Sequence, residues 1–310
     1  MIDNKFIDYL SGKSGIKNKG LIEKDFVLQS LLVSLTRDKY FSSNFVFKGG
    51  TCLVKCYLGY FRFSEDLDFT YIKQNEFKNK SENAIRRFLS SEISKLLEVI
   101  TDISKTHGLD FKAEKNNTRY IEFGGSNKFL TLKIWYSSSV SKNEQFVKVQ
   151  VNYVDLLEYK FRKLIAKPII ENVDAKEVKF LFPEYSSVLL AKHKVIAYDL
   201  KEILLEKVRA ILTRRGVRAR DFVDVFMITT SLNKDVSAFK AGIILKIQFM
   251  LKYEKYQQNL AEKSKIKTWI KPGEEEYLLL KTINGFHAYL EKLQPFLNEM
   301  ILEILKIESK

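Results

Sequence analysis

The stretch that most constrains this 310-residue chain is residues 45–71, FVFKGGTCLVKCYLGYFRFSEDLDFTY. Its pattern predicts a strand, a double-glycine turn, a helix, and then a second strand that carries Asp66 and Asp68. Side chains two apart in a strand point to one face. Ser64, Asp66, Asp68 and Thr70 therefore share one face, and Phe63, Leu67, Phe69 and Tyr71 share the other. The aromatic face suits a core, which leaves two carboxylates side by side on the opposite face. Carboxylates that close repel each other unless a cation lies between them. A hard divalent cation such as Mg²⁺ or Mn²⁺ meets that need, because such ions take one or two carboxylates together with substrate phosphates.

Upstream, Phe45-Val46-Phe47 runs into Gly49-Gly50, and Thr51 opens a helix. Glycine lets a backbone approach a ligand closely and adopt positive φ. A helix start adds unpaired N–H groups that suit a phosphate. A phosphate seat followed by a carboxylate pair is the layout of metal-assisted phosphoryl or nucleotidyl transfer. The plainer alternative is a tight turn followed by a surface strand with two solvated aspartates. Finding Gly49-Gly50 and then Arg62-x-Ser64-x-Asp66-x-Asp68, in that order, favours the active-site reading.

Glu23-Lys24-Asp25, Phe47-Lys48-Gly49-Gly50-Thr51 and Arg62-Phe63-Ser64-Glu65-Asp66-Leu67-Asp68 together resemble the AbiEii/AbiGii-type nucleotidyltransferase toxins, the enzyme half of type IV toxin–antitoxin pairs. The resemblance extends to the stretch from Tyr198 to Ala210 and to Arg220-Asp221-Phe222-Val223-Asp224. It implies an α+β fold, a DNA polymerase β-like nucleotidyltransferase domain with a mixed sheet, followed by a helical C-terminal domain. With Pro183 as a breaker, the two are expected over residues 1–182 and 183–310. The resemblance implies Mg²⁺ or Mn²⁺ at Asp66 and Asp68. The NTP would be bound by Lys48, Gly49, Gly50, Thr51, Arg62 and Ser64. Lys207 and Asp221 would complete the site, with Asp224 as the alternate acid on the nucleotide side. The implied acceptor is RNA, above all the tRNA 3′ end, whose modification would block translation and arrest growth, as in abortive infection of phage-infected cells. A winged-helix antitoxin encoded nearby is the implied partner. One strand departs from the pattern. Polymerase β-like enzymes often carry a third carboxylate on a later strand, whereas Phe146–Tyr153 presents Lys148, Gln150 and Asn152 on that face. By alternation, Asp155 falls on the far side.

Charge narrows the choice of partner. The 52 Lys plus Arg against 38 Asp plus Glu give +14, which favours a polyanion, either nucleic acid or an acidic protein. A lysine-rich composition explains the scattered lysines but not the arginines, since five of the chain's 11 fall between 209 and 220. Guanidinium forks bind phosphate oxygens bidentately. Arg214, Arg215, Arg218 and Arg220 are therefore candidate RNA-backbone contacts.

In the helix expected over 200–213, Ile203, Leu204, Val208, Ile211 and Leu212 form an apolar arc, with Glu202, Glu206 and Arg209 opposite. Lys207 falls inside the arc. It either snorkels to water or is aimed at an anion such as a triphosphate. Asp221, on the next helix over 219–232, shares a stripe with Val225, Ile228 and Leu232 and needs a cationic partner. Asp199 and Glu202 have the spacing of a capping box.

The remaining periodicities predict helices over 3–11, 22–37 and 75–105, strands over 109–124, 128–138 and 145–155, an irregular connection over 156–182, and three helices in 236–308 with Pro272-Gly273 and Gln294-Pro295 as joints. Aromatics such as Tyr253, Trp269 and Tyr277 interleave with lysines, as in single-strand RNA binders, although such aromatics are more often core. Cys52 and Cys56 read as free thiols, which fits a cytoplasmic location. Neither a leader nor a membrane-spanning run is expected. Two rival functions remain at this level. One is a non-catalytic RNA- or protein-binding module on a degenerate transferase scaffold. The other is a transferase that modifies protein hydroxyls.

Overall fold

The computed structural model describes residues 2–171, 173–190, 192–266, 268–271 and 273–308. The chain divides into two compact units, Met1–Asp155 with Phe161–Tyr198, and Leu156–Lys160 with Asp199–Lys310.

The first unit runs α1 (Asn4–Ser14), α2 (Lys19–Arg37), α3 (Lys39–Asn44), β1 (Phe45–Lys48), α4 (Gly49–Cys52), β2 (Asp66–Tyr71), α5 (Glu82–Thr106), β3 (Ile121–Gly124), β4 (Phe129–Ser137), β5 (Glu144–Asn152), β6 (Arg162–Ala166), α6 (Ala175–Leu181), α7 (Pro183–Leu189) and β7 (His193–Ala197). Helix α4 widens into a π-helical turn over Leu53–Leu58. The strands form one mixed sheet in the order β3-β4-β5-β2-β1-β7-β6. β2 pairs antiparallel with β1 and parallel with β5, so it sits in the interior of the sheet. An α+β architecture with a mixed sheet is what the sequence led one to expect.

Register explains how one sequence makes two unlike faces. Phe45 and Phe47 lie opposite Tyr71 and Phe69, and Leu67 and Phe69 lie beside Val149 and Val151. All of these are at most 3% exposed. Helices α2 and α3 pack over this side of the sheet. Fully burying one such side chain is worth roughly 1.5–3 kcal/mol, so a one-residue slip of β2 would forfeit several of them and expose the aromatic row. The other face carries Lys48, Asp66, Asp68, Thr70, Lys148, Gln150 and Asn152 in adjacent rows.

Several boundaries differ from the periodicity reading. Pro183 does not end the first domain. It occupies the first turn of α7, where its missing N–H costs nothing, and β7 beyond it joins the sheet beside β1. The connection over 156–182 holds a strand, β6, and a helix, α6. Helix α5 starts at Glu82, because Ser81 caps it and residues 74–77 form a 3₁₀ turn instead.

The second unit contains α8 (Leu200–Thr213), α9 (Ala219–Leu232), α10 (Lys240–Leu251), α11 (Glu254–Lys263) and α12 (Phe286–Glu308). Gln294-Pro295 is not a joint, because Pro295 lies inside α12. Leu290, Leu293, Leu297 and Met300 are buried around it, and that packing outweighs the lost backbone bond. Pro272 lies outside the described residues. Trp269 is core at 3% exposure, whereas Tyr277 is exposed. Among the described residues no helix is long and apolar enough to cross a membrane.

Candidate active site

The glycine turn and the carboxylate strand are built against each other. Gly49 has φ +78°, and a Cβ there would overlap the Asp68 carboxylate, lying 2.8 Å from its Cγ. A Cβ on Gly50 would lie 2.8 Å from Arg62 Nη2 and 2.8 Å from Ser64 Oγ. Real Cβ atoms do not approach that closely, so a side chain at Gly49 would be strained and would displace Asp68, and one at Gly50 would push Arg62 and Ser64 aside. Five of the sequence-predicted residues thus meet in one place: Gly49, Gly50, Arg62, Ser64 and Asp68. Arg62 is buried, and its Nη1 donates to the Phe63 carbonyl at 2.6 Å. Thr51 is also buried. Its hydroxyl donates to the Asp66 carbonyl at 2.5 Å, so this side chain fixes the start of β2.

Asp66 and Asp68 are half-buried and share the polar face of β2, where Asp66 pairs in register with Lys148 and Asp68 with Gln150. Among the described residues no group of three or more His, Cys, Asp or Glu could hold a metal ion. Two carboxylates still fit a hard divalent ion whose remaining ligands are phosphate and water oxygens.

Lys48 is 13% exposed and its Nζ lies 3.1 Å from Asp155 Oδ2. The alternation argument put Asp155 on the wrong side, and the structure corrects this. β5 ends at Asn152, so strand periodicity no longer governs residue 155. The chain folds back, and the Asp155 carboxylate reaches Lys48, Thr70 and Asn152 on the polar face.

The Glu23-Lys24-Asp25 triplet braces this region from α2. Glu23 accepts from Ser138 Oγ at 2.5 Å, from the Ser139 amide at 2.6 Å and from Ser139 Oγ at 2.8 Å. Lys24 Nζ is 2.5 Å from Glu65, beside the carboxylate strand. Asp25 pairs with the fully buried Lys55 at 2.9 Å, and Tyr60 donates to the same carboxylate. Sequence reasoning missed Lys55 and Tyr60. A lysine inside the apolar run Leu53–Leu58 was the available signal.

In the second unit, Lys207 lies between two carboxylates, 3.0 Å from Asp221 Oδ1 and 2.6 Å from Asp224 Oδ2. Arg214 lies 3.3 Å from Asp221. Burial pushes the Asp221 carboxyl up, but Lys207, Arg214 and Arg220 outweigh it and hold the group at about 2. Both acids therefore engage the lysine, whereas the sequence had offered Asp224 only as an alternate. Arg215 and Arg218 are exposed, and Arg214 and Arg220 are partly so.

The polar side of α8 is not a solvated face. Glu202 is buried, and Lys246 of α10 reaches it at 2.6 Å and Glu206 at 2.9 Å. Only half of the expected capping box forms. Asp199 accepts from the Lys201 amide, while Glu202 accepts from the amides of Glu158 and Tyr159.

Comparison with known proteins bears on what this arrangement belongs to. The family described as "Nucleotidyl transferase AbiEii toxin, Type IV TA system" matches residues 30–276. No curated protein matches the chain. MenT4, a nucleotidyltransferase toxin from Mycobacterium tuberculosis H37Rv, shares the fold with a TM-score of 0.54 at 16% identity, over 96% of this chain and 89% of that one. Two Helicobacter pylori structures, JHP933 and a putative nucleotidyltransferase, align over 94% and 95% of this chain and 95% and 98% of theirs, at 16% and 18% identity and TM-scores of 0.39. The family match spans the glycine turn, the carboxylate strand and the Lys207–Asp221–Asp224 group alike, and the chain belongs to the AbiEii family of nucleotidyltransferase toxins of type IV toxin–antitoxin systems.

Proposed function

We propose that this toxin transfers a nucleoside monophosphate from an NTP to an RNA hydroxyl, that of the tRNA 3′ end, and thereby blocks translation. The acceptor oxygen bonds to the α-phosphorus and gives up its proton to solvent, the α–β anhydride breaks, and pyrophosphate leaves. The observation that carries this reading is the glycine turn seated against Asp68, Arg62 and Ser64. It puts phosphate-compatible backbone, a guanidinium and a carboxylate at one point on the sheet.

In this reading Gly49 and Gly50 receive the phosphates, and Arg62 and Ser64 orient them. Thr51 keeps β2 in place through the Asp66 carbonyl. Asp66 and Asp68 would hold Mg²⁺ or Mn²⁺, which when bound polarises the acceptor hydroxyl and screens the phosphates. The family resemblance implies for Lys207 the task of neutralising charge on the leaving pyrophosphate, the kind of interaction that is strongest in the transition state. Asp221 and Asp224 fix its ammonium from two sides. Arg215 and Arg218, with Arg214 and Arg220, grip the RNA backbone. An antitoxin of the winged-helix class, encoded beside the toxin, restrains it, and phage infection is the setting in which arrest would serve the cell.

The test is incubation of the protein with Mg²⁺, total tRNA and each of the four NTPs labelled at the α-phosphate. Label joined to tRNA by the wild type and missing with Asp66→Ala is the expected result. Unlabelled tRNA under all four nucleotides would overturn the reading.

A further inference from the structure

Asp155 belongs to none of the motifs above, yet it gathers donors from four places. Its Oδ2 accepts from Lys48 Nζ at 3.1 Å, Tyr198 OH at 2.9 Å, Asn152 Nδ2 at 3.2 Å and Thr70 Oγ1 at 3.5 Å. The Asp155 amide donates to Gln74 Oε1 at 2.9 Å, which fixes the backbone behind it. The carboxylate is 6% exposed. Its place in the chain is equally specific. Asp155 ends the first segment of the sheet unit and Tyr198 ends the second. Phe161, where the chain re-enters that unit, stacks on Tyr198 with ring centroids 6.2 Å apart and planes 9° apart.

Two of these jobs need different chemistry. Holding Tyr198, Asn152 and Thr70 requires only an acceptor oxygen, which an asparagine also supplies. Holding a nearly buried ammonium requires charge, because a cation taken out of water must find an anion. A free lysine side chain also carries large rotamer freedom, which must be lost before it can meet a phosphate at a fixed point. Lys48 immediately precedes Gly49, and its side chain shares the sheet face of Asp68, its partner across β1 and β2.

We propose that Asp155 is a positioning residue. Its carboxylate holds the Lys48 ammonium in place for the phosphates of the bound NTP, and it anchors that lysine to the points where the chain leaves and re-enters the sheet unit. The inference rests on the nucleotidyl-transfer reading above and adds a residue that reading does not contain.

Steady-state transfer with NTP varied, on Asp155→Asn, Lys48→Gln and the double variant, tests it. Asp155→Asn is expected to raise KM for NTP about tenfold with a much smaller change in kcat, the pattern of lost ground-state binding. Lys48→Gln should do the same, and the double variant should be no worse than Lys48→Gln, since the two act through one contact. Lys48→Arg, which keeps the charge, should recover most of the affinity. An unchanged KM in Asp155→Asn, or multiplied effects in the double variant, would overturn the proposal. Should Asp155→Asn fail to fold, as judged by melting, the two Lys48 variants decide, and a wild-type KM in Lys48→Gln would end the case. Asp66→Ala serves as the separate control, because transfer that survives it would sink the underlying reaction instead.

Discussion

One methyl group is enough to probe how tightly the seat is built. Gly49→Ala places a side chain at φ +78° and into the Asp68 carboxylate. Strain of this kind costs about 1–3 kcal/mol, so the melting temperature should fall by several degrees and transfer should drop as Asp68 is displaced. Asp66→Asn and Asp68→Asn keep the shape and remove the charge. Transfer should fall by about 10² or more in each. The acid group in the second unit makes a different prediction. The Asp221 carboxyl, pushed up by burial but held at about 2 by Lys207 and the arginines, lies below its ordinary value. A depressed acid lends stability that is complete above its unfolded pKa near 4 and disappears as pH falls through the folded value. That share, on the order of 2 kcal/mol, should therefore vanish between about pH 4 and pH 2. Urea titrations across that range should show the loss, and Asp221→Asn should flatten it.

Among the elements, α2 and the π-helical turn carry a stability claim. Asp25 and Lys55 are at most 3% exposed and paired at 2.9 Å. Removing one member of a buried pair leaves the other uncompensated, which costs about 3–5 kcal/mol. Asp25→Ala should shift the urea midpoint accordingly, and Lys24→Ala, at a partly exposed bridge, should cost less than about 1 kcal/mol. The two strands β1 and β2 were legible in the sequence because period-two alternation and glycine chemistry act locally, and α8 and α9 were legible through their apolar arcs. What local patterns cannot show is chain reversal and tertiary override. Asp155 was misread because alternation was extended past Asn152, where β5 stops. Pro295 was misread as a break because the apolar packing around α12 is not a local property. Glu202 was placed opposite the apolar arc, and its ion pair was not legible because its partner, Lys246, lies on another helix; the Glu23 contacts to Ser138 and Ser139 were invisible for the same reason.

For the molecule as a whole, the net charge of +14 favours a polyanionic partner, and the proposed RNA acceptor makes a salt prediction. Each phosphate neutralised releases counterions, so affinity for tRNA should fall steeply with salt. Arg215→Ala with Arg218→Ala should weaken binding across tRNA sequences and flatten that salt slope by roughly one to two units. Above all, the proposed chemistry occurs at the α-phosphorus and depends on the β2 carboxylates. The most direct measurement compares α- and γ-labelled NTP with tRNA, for the wild type and for Asp68→Asn. Label should join tRNA only from the α-position and only with the wild type. Label from the γ-position, or α-label undiminished in Asp68→Asn, would contradict it.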